Sequence, residues 1–525
     1  MMARLAQVLL AGLSALLLAT AAQAQSTLKI VMHADLKVID PIWVSLQISR
    51  THGYMIYDTL FGLDSNLKPK PQMVDRYEVS PDGLVYTFVL RDGLVWSDGA
   101  PVKAEDCVAS LNRWGSRDAM GQKLLANIKE LVALDDKTIR LTLSGPYALV
   151  LESLAKPGGL VPFMMPKRIA DTPSSQQIKE WVGSGPFLFK GDEWKPGEKT
   201  VYVKNPTYKP RPEPASYFAG GKVAKLDRVE WVALPDTQTA VSALLAGEID
   251  AIESVTPDLL PLIEKNKSIE VVRGSLPSQY TMRPNWLNPP LDNPKIREAI
   301  GYALNQVEFL DAVVGDSRYY RVCKTYFVCG TEYASDAGVA GRLEGNAAKA
   351  RELLKEAGYD GTPLVLLQPT DVAVLANLAP VAKAQLERAG FKVDMQSMDW
   401  QTQAARSIRR EPLNQGGWSL LTGSWGALDL VNPIVTSSLN ASCDKAAPGW
   451  PCDTAIEELR DRFAREADPA KRKAIAGEIQ TLAVKAGTHW PLGEWYSLSA
   501  YSTKIKGNTR TPAATTFWNM EKAAR

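Results

Sequence analysis

Histidine is almost missing from this 525-residue chain: His33, His52 and His489 are the only three. Scattered imidazoles give little material for a His-rich metal site or a Ser-His-Asp triad. The sequence has no G-x-S-x-G, no H-E-x-x-H, no P-loop and no G-x-G-x-x-G. Hydrolysis, zinc proteolysis and nucleotide binding through those motifs therefore lack their parts. Gly183-Ser184-Gly185-Pro186 looks like a phosphate loop only superficially, because Pro186 has no N–H and no lysine follows in the place a phosphate loop needs; it reads as a tight turn. Charge of one sign is missing too. With 60 Lys+Arg against 58 Asp+Glu and no basic stripe, neither nucleic acid nor an anionic membrane is an expected partner. No cofactor and no metal is expected. A glycosidase-type carboxylate pair would need two acids that the pattern singles out, and it singles out none.

What is present begins at the N-terminus. Arg4, an apolar run from Val8 to Ala19 and the small-x-small triplet Ala22-Gln23-Ala24 have the layout of a secretory signal peptide over residues 1–24. The run is shorter than the roughly 20 residues of a spanning helix. No cysteine stands at the cleavage site to carry a lipid. The mature protein is expected to be soluble and periplasmic. At about 500 residues it exceeds a single core and implies two or three lobes.

The five cysteines fit an oxidising compartment. Cys323 and Cys329 lie close together in a loop-like segment, and so do Cys443 and Cys452. Each pair reads as a local disulfide. Their spacings are not C-x-x-C and no histidine sits beside them, which argues against a metal site. Cys107 falls in the helical run Ala104–Trp114 and reads as a buried free thiol.

Patterning is mixed α/β. Residues 85–90, 139–143 and 200–203 alternate like strands. A helix starting at Pro294 carries Ile296, Ala299, Ile300, Ala303, Leu304 and Val307 at helical spacing. Leu354–Gly358 and Leu386–Gly390 each end a helix on glycine before a strand-like run, and 240–251 makes the same transition. Such units indicate an α/β lobe between about 276 and 480. With no low-complexity linker, the lobes should be joined by ordered hinge strands.

At Met73–Trp114 a specific pattern appears: Phe88-x-Leu90-Arg91, Asp92-Gly93, Trp96-Ser97-Asp98-Gly99 and Ala104-Glu105-Asp106. Gly183–Phe187, Asn205–Tyr208, Ala243–Asp250, Asn285, Pro289-Pro290 and Ile296–Ala303 follow in order. Together these resemble the bacterial family 5 extracellular solute-binding proteins, the peptide/nickel-binding family. The resemblance covers nearly all of the mature chain. It implies the bilobed periplasmic binding protein fold (type II, the large cluster C form), with lobe I from 25–275 plus 484–525, an inserted subdomain at about 63–182, and lobe II from 276–483. It also implies a monomer that holds a small solute between its lobes and delivers it to the permease subunits of an ABC importer.

Within that resemblance, Trp425-Gly426-Ala427-Leu428-Asp429 with Asn432-Pro433 is similar to the lobe II segment that presents an Asp to a peptide's α-ammonium. Three residues separate Trp425 from Asp429 here, one more than in peptide binders. The alternative role for Asp429 is a loop or cap residue. Trp400, Trp418, Trp425, Tyr280 and Trp286 are the aromatic candidates for the cleft, with core packing as their alternative. Arg409, with Arg406 and Arg410, is the candidate partner for a ligand carboxylate. A short peptide is the first expectation for the ligand. A metal chelate, an opine or a short glycan on the same fold is the second, and a secreted hydrolase the remote third.

Overall fold

The computed structural model describes residues 26–234 and 236–523; the expected signal peptide lies outside them. Two large sheets organise the chain. The first runs, strand by strand, Ile269–Arg273, Leu498–Ser502, Ala251–Ile252, Thr27–Val31, Arg228–Val232, Lys199–Lys204 and Phe187–Phe189. Thr27–Val31 lies parallel to both neighbours. Leu28 and Ile30 are buried on one face with their neighbour Val229, while Lys29 between them is exposed on the other. The second sheet runs Tyr320–Arg321, Trp490–Trp495, Ser278–Pro284, Leu420–Trp425, Leu364–Pro369 and Val393–Met398. A third, four-stranded antiparallel sheet (Val74–Val79, Val85–Leu90, Thr138–Leu143, Ile128–Ala133) lies within the segment expected as an insertion.

The chain crosses between the two large sheets at 274–277 and again at 496–497. Ile269–Arg273 pairs with Leu498–Ser502 on one side, and Ser278–Pro284 pairs with Trp490–Trp495 on the other. A two-stranded ribbon thus joins the lobes, tied at the crossing by Gly274 N–H donating to Ser497 O and by Arg273 stacked over Tyr496. The return crossing comes later than the expected residue 484. Residue 484 falls inside helix Pro469–Ala486, and Trp490–Trp495 still belongs to the second sheet because its partner there is Ser278–Pro284.

Local signals produce these elements as the sequence suggested. Helix Ala104–Gly115 starts where the Asp106 carboxylate accepts the Lys103 N–H at 2.9 Å, and the same carboxylate holds the Trp96 indole N–H. Pro294–Ala303 begins on its proline behind an Asn293 cap. Ala347–Glu356 and Leu378–Arg388 precede Gly358 and Gly390, both left-handed. Gly183 and Gly185 serve differently from the expected tight turn. Gly185 N–H donates to Ile56 O, and a Cβ on Gly183 would stand 1.9 Å from that oxygen. The glycines permit close backbone approach. Both expected disulfides are present, Cys323–Cys329 and Cys443–Cys452, and Cys107 is buried with its thiol pKa pushed up by desolvation.

Candidate ligand-binding site

Register on the second sheet decides which side chains share a face. Opposite Trp425 stands Gln279, opposite Gly423 stands Thr281, and opposite Leu421 stands Arg283. Side chains alternate along a strand. Tyr280 and Met282 therefore enter the core beneath helices Pro294–Ala303 and Leu378–Arg388, while Gln279, Thr281 and Arg283 face the other way. On that second face a Cβ at Gly423 would meet no atom within 4 Å, so there is open space above it.

The strand then runs into Gly426 and a short 3-10 turn, Ala427–Asp429, closed by Asp429 N–H donating to Gly426 O. This turn meets the other lobe. A Cβ at Gly158 would lie 2.8 Å from Asp429 Oδ1. The Gly158 loop is fixed from its own side: Lys156 Nζ donates to Gly158 O at 2.8 Å and pairs with buried Asp118 at 2.6 Å. Asp429 is half-buried, and among the described residues its carboxylate has no hydrogen bond and no ion pair. Half-buried carboxylates with no partner are uncommon, since desolvation is compensated only by pairing or hydrogen bonding.

On the first sheet, His33 and Glu253 sit just past the carboxyl ends of two parallel strands, where open α/β sheets hold ligands. Glu253 accepts the His33 backbone N–H and ring Nδ1 and the Thr515 hydroxyl, so its oxygens are satisfied inside the lobe. Elsewhere the lobes meet through Lys68–Glu332, Lys123–Asp461 and Arg472–Glu152, and through Ala148 N–H donating to Ala464 O. Partly solvated ion pairs are individually weak. Leu428, Phe463 and Ile479 also belong to the same apolar cluster as Leu149 and Phe163 of the other lobe, so opening the seam exposes apolar surface as well.

The other sequence candidates do not join Trp425 and Asp429. Tyr280 is buried and stacked on Trp495 at 5.3 Å, on the core side of its strand. Trp418 is fully buried against Trp450, its indole N–H donating to Ser407 O. Trp286 is spent under Arg297, 3.6 Å from the guanidinium. These three are structural, because the strand and loop register turns them inward. Trp400 begins a surface helix capped by Asp399, its N–H donating to Asp371, and Arg409 is exposed on the same outer face. Arg406 uses its guanidinium on Gly416 O, Gly417 O and Gln396, and Arg410 pairs with Asp444. None of those three arginines reaches the Trp425 face. Sequence reasoning missed Gly423 and Arg283. A cation placed between apolar strand residues was the signal available for the second.

With this geometry in place, the comparisons are decisive for the family. The model of the bacterial extracellular solute-binding proteins, family 5 Middle, matches residues 68–446. The chain belongs to that family. It is 36% identical to a probable peptide ABC transporter periplasmic-binding protein, y4tO of Sinorhizobium fredii, over 96% of this chain and 95% of that protein. It is 26% identical to the glutathione-binding protein GsiB of Escherichia coli, over 97% and 95% of the two chains. The periplasmic binding protein DppA of Helicobacter pylori, in complex with peptide STSA, superposes with a TM-score of 0.79 at 25% identity, over 96% of this chain and 99% of that one. The bilobed fold is the family's fold, and the family is one of solute-binding transport proteins.

Proposed function

We propose that this protein is the periplasmic receptor of an ABC importer, acting as a monomer without catalysis. It captures a short peptide or peptide-like solute between its lobes and presents it to the permease. One observation carries the ligand class: the Asp429 carboxylate, half-buried at the inter-lobe seam and without a partner, suits a ligand ammonium. Trp425, one turn earlier, supplies a flat wall that loses little entropy when a ligand packs on it. Support comes from the family and from its relatives, among them a probable peptide ABC transporter periplasmic-binding protein.

Calorimetric titration with trialanine tests the reading. Removing one member of a buried charge pair costs about 2–5 kcal/mol, so Asp429→Ala should weaken binding at least about 30-fold. Unchanged affinity would take Asp429 out of the site. No binding of trialanine to the wild type, together with capture of mannopinic acid, would move the ligand class from peptides to opines.

A further inference from the structure

The turn that carries Asp429 rests on a loop outside its own strand. In a 3-10 turn, residues three apart lie one above the other. Ala427 opens the turn and Leu430 caps it, so the two share one side, and both are buried against Val328. Leu428 belongs instead to the apolar cluster that reaches into lobe I. Asp429 is left between these two supports, at the seam. Leu276, in the crossing between the lobes, and Trp425 pack on the Val328 cluster from its rim. The Asp429 turn, the hinge and one loop of lobe II thus share a small core.

Val328 comes from a loop that is tied at both ends. The Cys323–Cys329 disulfide closes it. Cys323 exchanges hydrogen bonds with the Gln306 amide, its N–H donating at 2.9 Å and its O accepting at 2.7 Å. Cys329 N–H donates to the buried Glu494 carboxylate at 2.8 Å, and Arg321 bridges Cys329 O and Glu494. Val328 O takes the Thr331 N–H and hydroxyl. Phe327 enters the larger cluster while Val328 goes onto the turn. Val328 is fully buried, so it acts through the turn and not on a solute.

We infer that Val328 is a positioning residue for Asp429, and that the Cys323–Cys329 bond sets how firmly it holds the turn. A binding group is only as precise as the packing that locks it in place. Reduction of that bond therefore weakens capture. A dithiol attacks the sulfur of half-buried Cys329 and breaks the S–S bond, with Cys323 leaving as a thiol. The second thiol of the reductant then displaces Cys329 from the mixed disulfide. Two electrons and two protons pass to the protein, and the reductant departs as a cyclic disulfide. A Glu494 oxygen lies within 4.8 Å of both sulfurs, which favours neutral thiols over thiolates in the reduced pair. The loop then keeps only its hydrogen bonds, and the turn is held less firmly. This deepens the reading of Asp429 above and rests on it for the link between turn and ligand.

Three measurements on the mature protein test the inference. Calorimetry with trialanine compares Val328→Ala with Val328→Thr. Both should melt below the wild type, the first through a cavity and the second through a buried hydroxyl. Val328→Ala, which removes the shape under the turn, should lose affinity at least about fivefold, while Val328→Thr keeps the shape and should stay within about twofold. Equal affinity losses in the two, or none in Val328→Ala, overturn the inference. The second measurement leaves Val328 in place. In the Cys443→Ser, Cys452→Ser variant the Cys323–Cys329 bond is the remaining disulfide. Dithiothreitol should lower its trialanine affinity, and reoxidation should restore it. Unchanged affinity after complete reduction, checked by thiol counting, overturns the inference. The third, hydrogen exchange, needs no ligand. The Asp429 and Leu430 amides, bonded to Gly426 O and Ala427 O, should exchange faster in Val328→Ala and after reduction. Unchanged exchange there overturns the inference whatever the ligand. Faster exchange, with no binding of trialanine to the wild type, would sink the peptide reading and keep Val328 as the support of the turn.

Discussion

The deep charges of lobe I and the half-buried charges on the cleft side of lobe II are treated in opposite ways. Among the described residues of lobe I, Arg113 closes on Asp40, Lys222 on Asp58, Lys156 on Asp118 and His33 on the buried Glu253. On the cleft face of the second sheet, Asp429 and Arg283 are left open. Closed pairs hold a lobe together but can recognise nothing. Open ones weaken the empty protein and become useful when a ligand supplies the missing half. The contrast is sharpest at Asp58, whose two oxygens take Lys222 at 2.8 Å and the Tyr208 hydroxyl at 3.0 Å. Asp58→Ala strands a fully buried ammonium and should destabilise the fold by about 3–5 kcal/mol in urea unfolding. Asp429→Ala, which strands nothing, should stay within about 0.5 kcal/mol by the same measurement while binding collapses. Similar stability losses in the two variants would break the comparison.

A smaller effect separates the two disulfides from these charges. Each closes a short loop, and in the loop-entropy account each contributes about 2 kcal/mol. The Cys443–Cys452 loop carries Gly449, where a Cβ would lie 2.5 Å from Pro284 O, so that loop packs on a strand end, whereas the Cys323–Cys329 loop packs under the Asp429 turn. Cys323→Ser with Cys329→Ser should therefore lower both stability and trialanine affinity. Cys443→Ser with Cys452→Ser should lower stability alone. Equal affinity losses in the two double variants would separate the Cys323–Cys329 loop from the binding site.

Much of this architecture could be read from the chain because its signals are local. Pro294 starting a helix, Gly358 and Gly390 following two others, and the alternation at 85–90 each need only neighbours in sequence. Both cysteine pairs were readable for the same reason. The site was less legible. Tyr280 and Arg283 lie on one strand, and only the register against Leu420–Trp425 sends one into the core and the other into the cleft. Trp418 and Trp425 likewise share a strand region but part company at its end, where Gly426 turns the chain toward Gly158. The return crossing lies beyond the expected residue 484 because Trp490–Trp495, which follows helix Pro469–Ala486, still pairs with Ser278–Pro284.

The smallest effect tests the closed half of the comparison through pH. Burial pulls the His33 imidazole down, but the Glu253 carboxylate 2.5 Å away more than offsets this, so its pKa is raised; Arg50 opposes weakly. A raised imidazole stabilises fully below its unfolded value near 6.5, and that contribution is lost as pH climbs through the folded value. Glu253 is disfavoured by burial yet held below its usual range by His33, so its contribution is present above about 4.5 and lost on acidification. The pair is thus at full strength between these limits. His52 acts in the opposite sense. Burial holds it neutral with a pKa of about 3, and the stability it protects is lost as pH falls from 6.5 toward that value. Urea midpoints of the wild type should therefore drop slightly from pH 6.5 to 8.5, by less than about 1 kcal/mol because His33 is partly solvated. His33→Gln should abolish that drop and leave the loss below pH 6 in place. A drop that survives in His33→Gln would show that the pair closing the end of the first sheet contributes nothing to lobe I, and that its charges are as available to a ligand as those across the cleft.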